Sequence, residues 1–454
     1  MIEFQHVSLS YGEGQILKDV NFKVNRGETI LLTGLSGSGK STILKLINGL
    51  IPHYESAKVE GNIWIDGKNP KDLELYQVSK RVSTVFQNPK THFFNTETTL
   101  ELVFYLENIG TPRNVMKERL EETVELFQIH HLMNRSIFEL SGGEKQILSI
   151  AQTYMSGNEI IVLDEPTANL DEVYTEKVGQ MLEILKDLGK TIVIAEHRFT
   201  FLKELVDRVL LIKDGKAEEM TGEDFFSWSN ETLHSLGLRG LHQETLNMGK
   251  TFDGKDFVIQ RYEKEFPDHK IEVEGLGFNK GEIIGITGRN GIGKSTLVKS
   301  LMGQVKAKDE IYFLGKKQKR KERMRHAYLV MQDVTAELFT ESVLSECKLC
   351  GNHDNILEIL EMLNLEELKD RHPISLSGGQ KQRLVIATSL LSDRPILFFD
   401  EPTSGMDHLH MKKIAELIER IKEDRIIFVI SHDTEFLQRI CDRILDLEEY
   451  EVIQ

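Results

Sequence analysis

The chain of 454 residues holds three cysteines, no basic excess, and no apolar run close to the roughly 18–20 residues that cross a bilayer. So few cysteines in this length leave no disulfide framework and point to a reducing compartment. Cys347 and Cys350 form a lone CxxC in SECKLCGNH, with His353 nearby but no second ligand pair at zinc-binding spacing. That segment reads as helical, so the two thiols are assigned to core packing. The opening MIEFQHVSLSYGEG has no basic stretch followed by an apolar one, so no secretory signal is expected. Lys and Arg number 56 against 72 Asp and Glu, a formal net charge of −16. This argues against nucleic acid as the main partner, because neutralising phosphates needs a basic surface. The one basic run, KKQKRKERMR at 316–325, reads as a solvated face.

What is present is ordinary globular composition, 40% hydrophobic and 28% charged, in a length that suits two or three domains. ETILLTG, IIVLDEP, TIVIAEH, EIIGITG, PILFFDEP and RIIFVIS are short apolar runs bounded by Gly, Pro or charge. They predict buried strands of parallel sheets, and therefore an α/β fold.

The chain is written twice. GLSGSGKST at 34–42 returns as GRNGIGKST at 288–296, LSGGEKQ at 140–146 as LSGGQKQ at 376–382, and IIVLDEPT at 160–167 as ILFFDEPT at 396–403. The interval from Ser141 to Asp164 equals that from Ser377 to Asp400, 23 residues in both halves. A break is expected near residue 240, giving a first domain 1–235, a linker 236–250 and a second domain 251–454. DGKAEEMTGEDFFSW reads as a closing hairpin and tail of the first half. The second half is trimmed: Gln87 to Ser141 spans 54 positions, Gln332 to Ser377 only 45. In that region TLELVFYLENIG, RNVMKERLEETVELFQI and DNILEILEMLNLEELKD have helical periodicity.

The repeated motifs carry phosphate chemistry. GLSGSGKST follows a strand-like run and opens a helix-like one, the context a phosphate loop needs. Its glycines let backbone N–H groups converge on phosphate oxygens, and the new helix adds its positive end. Gly34, Ser36, Gly37, Gly39 and Thr42 shape and line the loop; Lys40 reaches the β- and γ-phosphates, and the Ser41 hydroxyl ligates Mg²⁺. Gly288, Asn290, Gly291, Gly293, Lys294, Ser295 and Thr296 repeat the set. Asp164 and Glu165 end a buried strand, the first placed to hold Mg²⁺ and the second to orient water; Asp400 and Glu401 repeat the pair. Ser141-Gly142-Gly143 and Ser377-Gly378-Gly379 each precede an apolar helix and form a second anion site at its N-terminus. Within each half the phosphate loop already holds one side of its nucleotide, so these serines are assigned to the γ-phosphate of the other half. His197 and His432 end predicted strands at similar intervals, 32 from Glu165 and 31 from Glu401, and are assigned to γ-phosphate contact.

Together these residues resemble the ATP-binding-cassette (ABC) ATPases over nearly the whole chain. The resemblance implies two P-loop α/β cores, each with an antiparallel β-layer and a helical subdomain, arranged head to tail. It implies Mg²⁺-ATP at two composite hydrolytic sites, Lys40 with Ser377 and Lys294 with Ser141. Gln87 and Gln332 match the glutamine that senses Mg²⁺ and the attacking water. Ala168-Asn169-Leu170-Asp171 and Ser404-Gly405-Met406-Asp407 match the D-loops, and Tyr11 and Tyr262 the aromatic that stacks on adenine. The first signature departs from LSGGQxQR, with Glu144 for Gln and Ile147 where Arg383 stands, which leaves the relative rates of the sites open.

FQNP followed by an aromatic segment, and the EHR of residues 196–198, look like the ATPase subunits of energy-coupling-factor (ECF) importers of vitamins, metal ions or other micronutrients. His92 stands where that group carries glutamine. The resemblance implies a membrane coupling subunit docking near Phe93, Phe94, Leu338 and Phe339, a substrate-binding membrane subunit, and residence on the cytoplasmic face of the cell membrane. The rival readings are a soluble translation factor of the ABC-F type, whose long charged linker is absent here, the cassette pair of a sugar importer, and a non-hydrolysing scaffold.

Overall fold

The computed structural model describes residues 1–88, 93–168, 170–241, 249, 251–331, 334–350, 355–376 and 378–453, without the side chains of 335, 336 and 453. Its internal contacts form two compact units, residues 1–242 with 407–409, and residues 243–406 with 410–454.

In the first unit a six-stranded sheet runs in the order Val82–Val85, Ile160–Asp164, Thr191–Ala195, Thr29–Gly34, Arg208–Lys213, Lys216–Thr221. All neighbours are parallel except the last hairpin. Thr29–Gly34 and Thr191–Ala195 are buried at every position, which is why they read as unbroken apolar runs. Successive side chains serve opposite faces. Leu31, Ile161, Leu163, Ile192 and Ile194 pack beneath helices Thr98–Asn108, Arg113–Leu126 and Gly142–Ser156. Ile30, Leu32, Ile160, Val162 and Val193 face Ile43 and Ile47 of helix Lys40–Ile47 and the core side of a three-stranded antiparallel sheet. That sheet is ordered Gly14–Val24, Ile2–Tyr11, Lys58–Ile65. Beyond the final hairpin, Leu233, Leu238 and Leu241 join this unit's core.

The second unit repeats the plan. Its parallel sheet is ordered Ala327–Val330, Ile396–Asp400, Ile426–Ile430, Ile283–Thr287, Arg443–Asp446. Its antiparallel layer runs Lys316–Lys317, Lys308–Phe313, Phe257–Glu265, His269–Phe278, Glu451–Ile453. The segment 354–370, expected to be helical, divides instead. Helix Ile356–Met362 stops before Asn364, whose φ of 53° is left-handed, and only a short 3-10 turn, Glu366–Leu368, follows. Cys347 lies in helix Val343–Lys348 as a buried free thiol among Val343 and Leu360, and burial pushes it up to about 12. His353 lies outside the described residues. Among the described residues no helix is long and apolar enough to cross a membrane.

Candidate functional site

Each phosphate loop joins the central strand to the first helix of its parallel sheet. Gly34, Gly37 and Gly39 take φ of 145°, 82° and 109°, and Gly288, Gly291 and Gly293 take 128°, 85° and 110°, values a side chain would resist. Gly39 and Gly293 are the N-caps of their helices, and no side chain caps either one. The helix N–H groups therefore converge on the loop as an anion cradle. Lys40 is buried and donates to the carbonyls of Gly34 and Leu35, both at 3.0 Å. Lys294 repeats this with Gly288 at 2.6 Å and Arg289 at 3.1 Å. Burial pushes the Lys40 ammonium below its usual range, and the nearby Glu165 and Asp164 carboxylates pull it back. The Ser41 hydroxyl donates to Asp164 at 2.9 Å, and Ser295 to Asp400 at 2.7 Å. A hydroxyl beside a carboxylate is a hard-oxygen donor set that fits Mg²⁺ carried on a nucleotide's phosphates. Ser36, Thr42 and Thr296 lie in or beside the loops as expected, Ser36 exposed and both threonines half-buried.

Glu165 and Glu401 follow their strands with φ of 46° and 52°, fixed by N–H bonds from Glu165 to Ala195 and from Glu401 to Ile430. This left-handed step is uncommon for a residue with a side chain and turns the carboxylate toward the loop. Glu165 accepts from the Gln87 amide at 2.7 Å and lies 3.6 Å from His197 Nε2. Glu401 lies 3.8 Å from His432 Nε2, and that nitrogen is 3.0 Å from Asn290 Oδ1 of its own loop. Gln87, Glu165, His197, Lys40, Ser41 and Asp164 are thus brought together, as are Asn290, Lys294, Ser295, Asp400, Glu401 and His432. Gln332 and Ser377 lie outside the described residues. Burial, the adjacent Glu196 and Asp164 all push Glu165 above the usual carboxylate range, opposed by Lys40. Glu196 is itself buried and raised by burial, while accepting from the Thr167 N–H and hydroxyl and from the His197 N–H. Asp164 and Asp400 are raised by burial as well.

The first signature serine caps its helix. Ser141 Oγ accepts from Glu144 N–H at 3.2 Å, and Glu144 accepts from Ser141 N–H at 2.7 Å, a reciprocal capping box. Glu144, the departure from glutamine, is held on its other oxygen by Arg135 at 2.9 Å. Its burial is outweighed by these hydrogen bonds, which keep it below the usual range. Ile147 is a core residue. Gly142, Gly378 and Gly379 are exposed and Gly143 is buried.

The two adenine-stacking candidates part company. Tyr11 ends the first strand half-exposed, and its hydroxyl donates to Glu55 at 3.1 Å. Tyr262 does not serve: it is 1% exposed, locked with Phe257, Ile271 and Leu297 inside the core. Its place in mid-strand points the ring inward. The aromatic beside the second phosphate loop is Phe266, in the turn that directly follows strand Phe257–Glu265. Its ring lies against Gly293 and stacks on His269 at 4.6 Å, and His269 Nε2 is 3.1 Å from the Ile292 carbonyl in the loop. Phe266 precedes Gly281 by 15 residues, close to the 16 from Tyr11 to Gly27, whereas Tyr262 precedes it by 19. That spacing was the available signal.

The paired apolar residues after each glutamine split between core and surface. Phe93 packs against the first core while Phe94 is 77% exposed; Leu338 is 6% exposed and Phe339 79%. Buried Glu101 accepts from the backbone N–H groups of Phe94 and Asn95 at 3.0 and 2.7 Å. Buried Glu346 does the same for Phe339 and Thr340 at 3.0 and 2.9 Å. No motif had singled out either glutamate.

Comparison with known proteins agrees with this geometry. The ABC transporter family model matches residues 17–168 and 274–404. A Treponema denticola protein described as an ABC transporter ATP-binding protein is 41% identical over all of this chain and 96% of its own length. A Methanosarcina acetivorans protein of the same description is 30% identical over all of this chain and 90% of its own. Among solved structures, an archaeal ribosome recycling factor, aABCE1, in complex with the ribosomal stalk protein aP1, shares the fold with a TM-score of 0.65 at 23% identity, covering 98% of this chain and 89% of that one. With two phosphate loops, two acidic strand ends and two family matches in register, the chain belongs to the ABC transporter family and is an ATP-binding ATPase of tandem cassettes.

Proposed function

We propose that the chain is the ATP-hydrolysing motor of an ECF-type importer of a vitamin, metal ion or other micronutrient, acting on the cytoplasmic face of the membrane. Residues 1–235, with Leu238 and Leu241 packed into the same core, and residues 251–454 are its cassettes. The observation that supports the reading most directly is the exposed aromatic that follows the glutamine segment in each cassette, Phe94 and Phe339, held by a buried carboxylate. Phe94 stacks on Phe104 at 5.0 Å, and an exposed aromatic surface of this kind supports docking, here of a helix of a membrane coupling subunit.

Chemically, Lys40 and Lys294 neutralise phosphate charge, and Glu165 and Glu401 orient or deprotonate water, Glu165 with Gln87 beside it; Gln332 takes the matching role by its place in the repeat. His197 and His432 contact the γ-phosphate, and Tyr11 and Phe266 carry the adenine. Ser41 with Asp164, and Ser295 with Asp400, would hold Mg²⁺, which neutralises the transferring phosphoryl group. ATP drives the cassettes toward whichever state binds it more tightly, by its differential affinity for that state.

The test is to purify the chain from its native membrane and identify what accompanies it. A hydrophobic coupling subunit and a small substrate-binding membrane subunit are expected. Recovery with ribosomes in place of membrane proteins overturns the importer reading.

A further inference from the structure

The second phosphate loop is gripped from outside by a histidine that belongs to none of the repeated motifs. His269 opens strand His269–Phe278 and is buried. Its Nε2 lies 3.1 Å from the Ile292 carbonyl, and a carbonyl only accepts, so Nε2 is the donor. Its Nδ1 faces the Asp268 carboxylate at 2.7 Å. Held at both nitrogens, the ring is fixed in plane, and its face lies on Phe266, with centroids 4.6 Å apart and planes 8° from parallel. The tip of the Phe266 ring reaches Gly293, where a Cβ would collide with Cζ. The turn between the two rings is closed by the Phe266 N–H, which donates to the His269 carbonyl at 2.8 Å.

The first cassette has no side chain at this place. Gly14 follows Tyr11 by three residues, as His269 follows Phe266, and pairs with it across the same turn. Tyr11 is held instead by its hydroxyl, on Glu55. Phenylalanine has no hydroxyl to anchor, and the stack on His269 replaces it. The hydrogen bond reaches the loop as well. A trans peptide is planar with its C=O and N–H opposed, so a grip on the Ile292 oxygen fixes the direction of the Gly293 N–H. Gly293 is the N-cap of helix Lys294–Leu301, at the end that holds anions.

We propose that His269 is a positioning residue of the second nucleotide site, setting the Phe266 ring for adenine with its face and the phosphate loop with its Nε2. This rests on the reading above that Phe266 carries the adenine. Phe266, His269, Ile292 and Gly293 all belong to the second unit, so the device is complete within it.

The test uses the full chain carrying Lys40→Ala, which disables the first phosphate loop, and compares ADP with inorganic pyrophosphate by titration calorimetry. His269→Leu, which loses ring and donor, should weaken ADP about tenfold and pyrophosphate about threefold. His269→Gln, which can still donate, should weaken ADP about threefold and leave pyrophosphate unchanged, because only the stack is lost. His269→Phe, which keeps a ring, should weaken both alike, about threefold, the scale of one hydrogen bond. With Lys294→Ala in place of Lys40→Ala, ADP binding to the first cassette should not respond to any of the three. Unchanged ADP affinity in His269→Leu and His269→Gln, with Phe266→Ala still weakening ADP, overturns the role of His269 and leaves that of Phe266 standing. Unchanged ADP affinity in Phe266→Ala overturns the adenine reading and the proposal with it. Equal losses of ADP and pyrophosphate in His269→Gln also overturn the proposal, because the ring then does nothing for the base. Should His269→Leu fail to fold, His269→Gln decides by the same outcomes.

Discussion

The two cassettes place a buried carboxylate on opposite sides, in sequence, of the equivalent histidine. In the first, the buried carboxylate precedes it: Glu196 accepts from Thr167 and from the His197 N–H. In the second it follows: Asp433 accepts from Thr403 at 3.0 Å, and Ser431 occupies the preceding place. Either arrangement satisfies the threonine two residues beyond Glu165 or Glu401. The electrostatics are not equivalent. Asp433 also caps helix Thr434–Ile440 by accepting from the Phe436 N–H, so helix dipole and hydrogen bonds offset its charge. Glu196 has no helix behind its charge and pushes the proton affinity of Glu165 upward. Two cassettes with one motif list thus differ in how a buried charge is held.

Four experiments break or sharpen this comparison. The largest effect is expected from Glu165→Gln combined with Glu401→Gln, which should cut phosphate release by at least about 100-fold, the contribution of a positioned base, with ATP binding intact. The single variants then show whether the cassettes share turnover equally, and wild-type rates in both would remove the assigned roles. Next, Leu338→Asp should cost about 3–5 kcal/mol in denaturant unfolding by burying an unpaired charge, while Phe339→Asp stays within about 0.5 kcal/mol. Phe94→Asp should likewise spare stability and ATP binding but abolish recruitment to membranes; unfolding of that variant would return the ring to the core.

A smaller difference separates the signature glycines. Gly143→Ala must displace Tyr174 and should cost about 1–3 kcal/mol, whereas Gly379→Ala, in an exposed helical turn, should stay within about 0.5 kcal/mol. The smallest effect is electrostatic. Glu196 and Glu165 bind protons more tightly when folded than when unfolded, so their charges destabilise the fold increasingly as pH rises from the ordinary carboxylate range through their raised values. Glu196→Gln should therefore raise the melting temperature of the nucleotide-free protein at pH 8 by about 2–4 °C, for about 1 kcal/mol, and by progressively less toward pH 4.5. A gain that grows on acidification would contradict this account.

The parallel strands, phosphate loops and acidic strand ends were legible because their signals are local: an apolar run between breakers, glycines before a lysine, two carboxylates at a strand end. What needed the fold was direction. Phe93 and Phe94 are the same residue type side by side, and only the backbone turn sends one inward. Tyr262, chosen from the sequence, and Phe266, which was passed over, both stand ahead of a phosphate loop, but the strand puts the first in the core and the hairpin end puts the second beside Gly293. The periodic stretch at 354–370 concealed a left-handed residue at Asn364 that its neighbours' hydropathy could not announce. The Tyr174 ring meets Gly143 across 31 residues, where spacing carries no information.

Glu101 and Glu346 grip main-chain N–H groups, not the side chains of Phe94 and Phe339. The support is therefore indifferent to which residue is displayed. The side chain at 94 or 339 can therefore change while the elbow that presents it stays fixed, so, on the importer proposal, one ATPase scaffold could be refitted to new membrane partners by single substitutions.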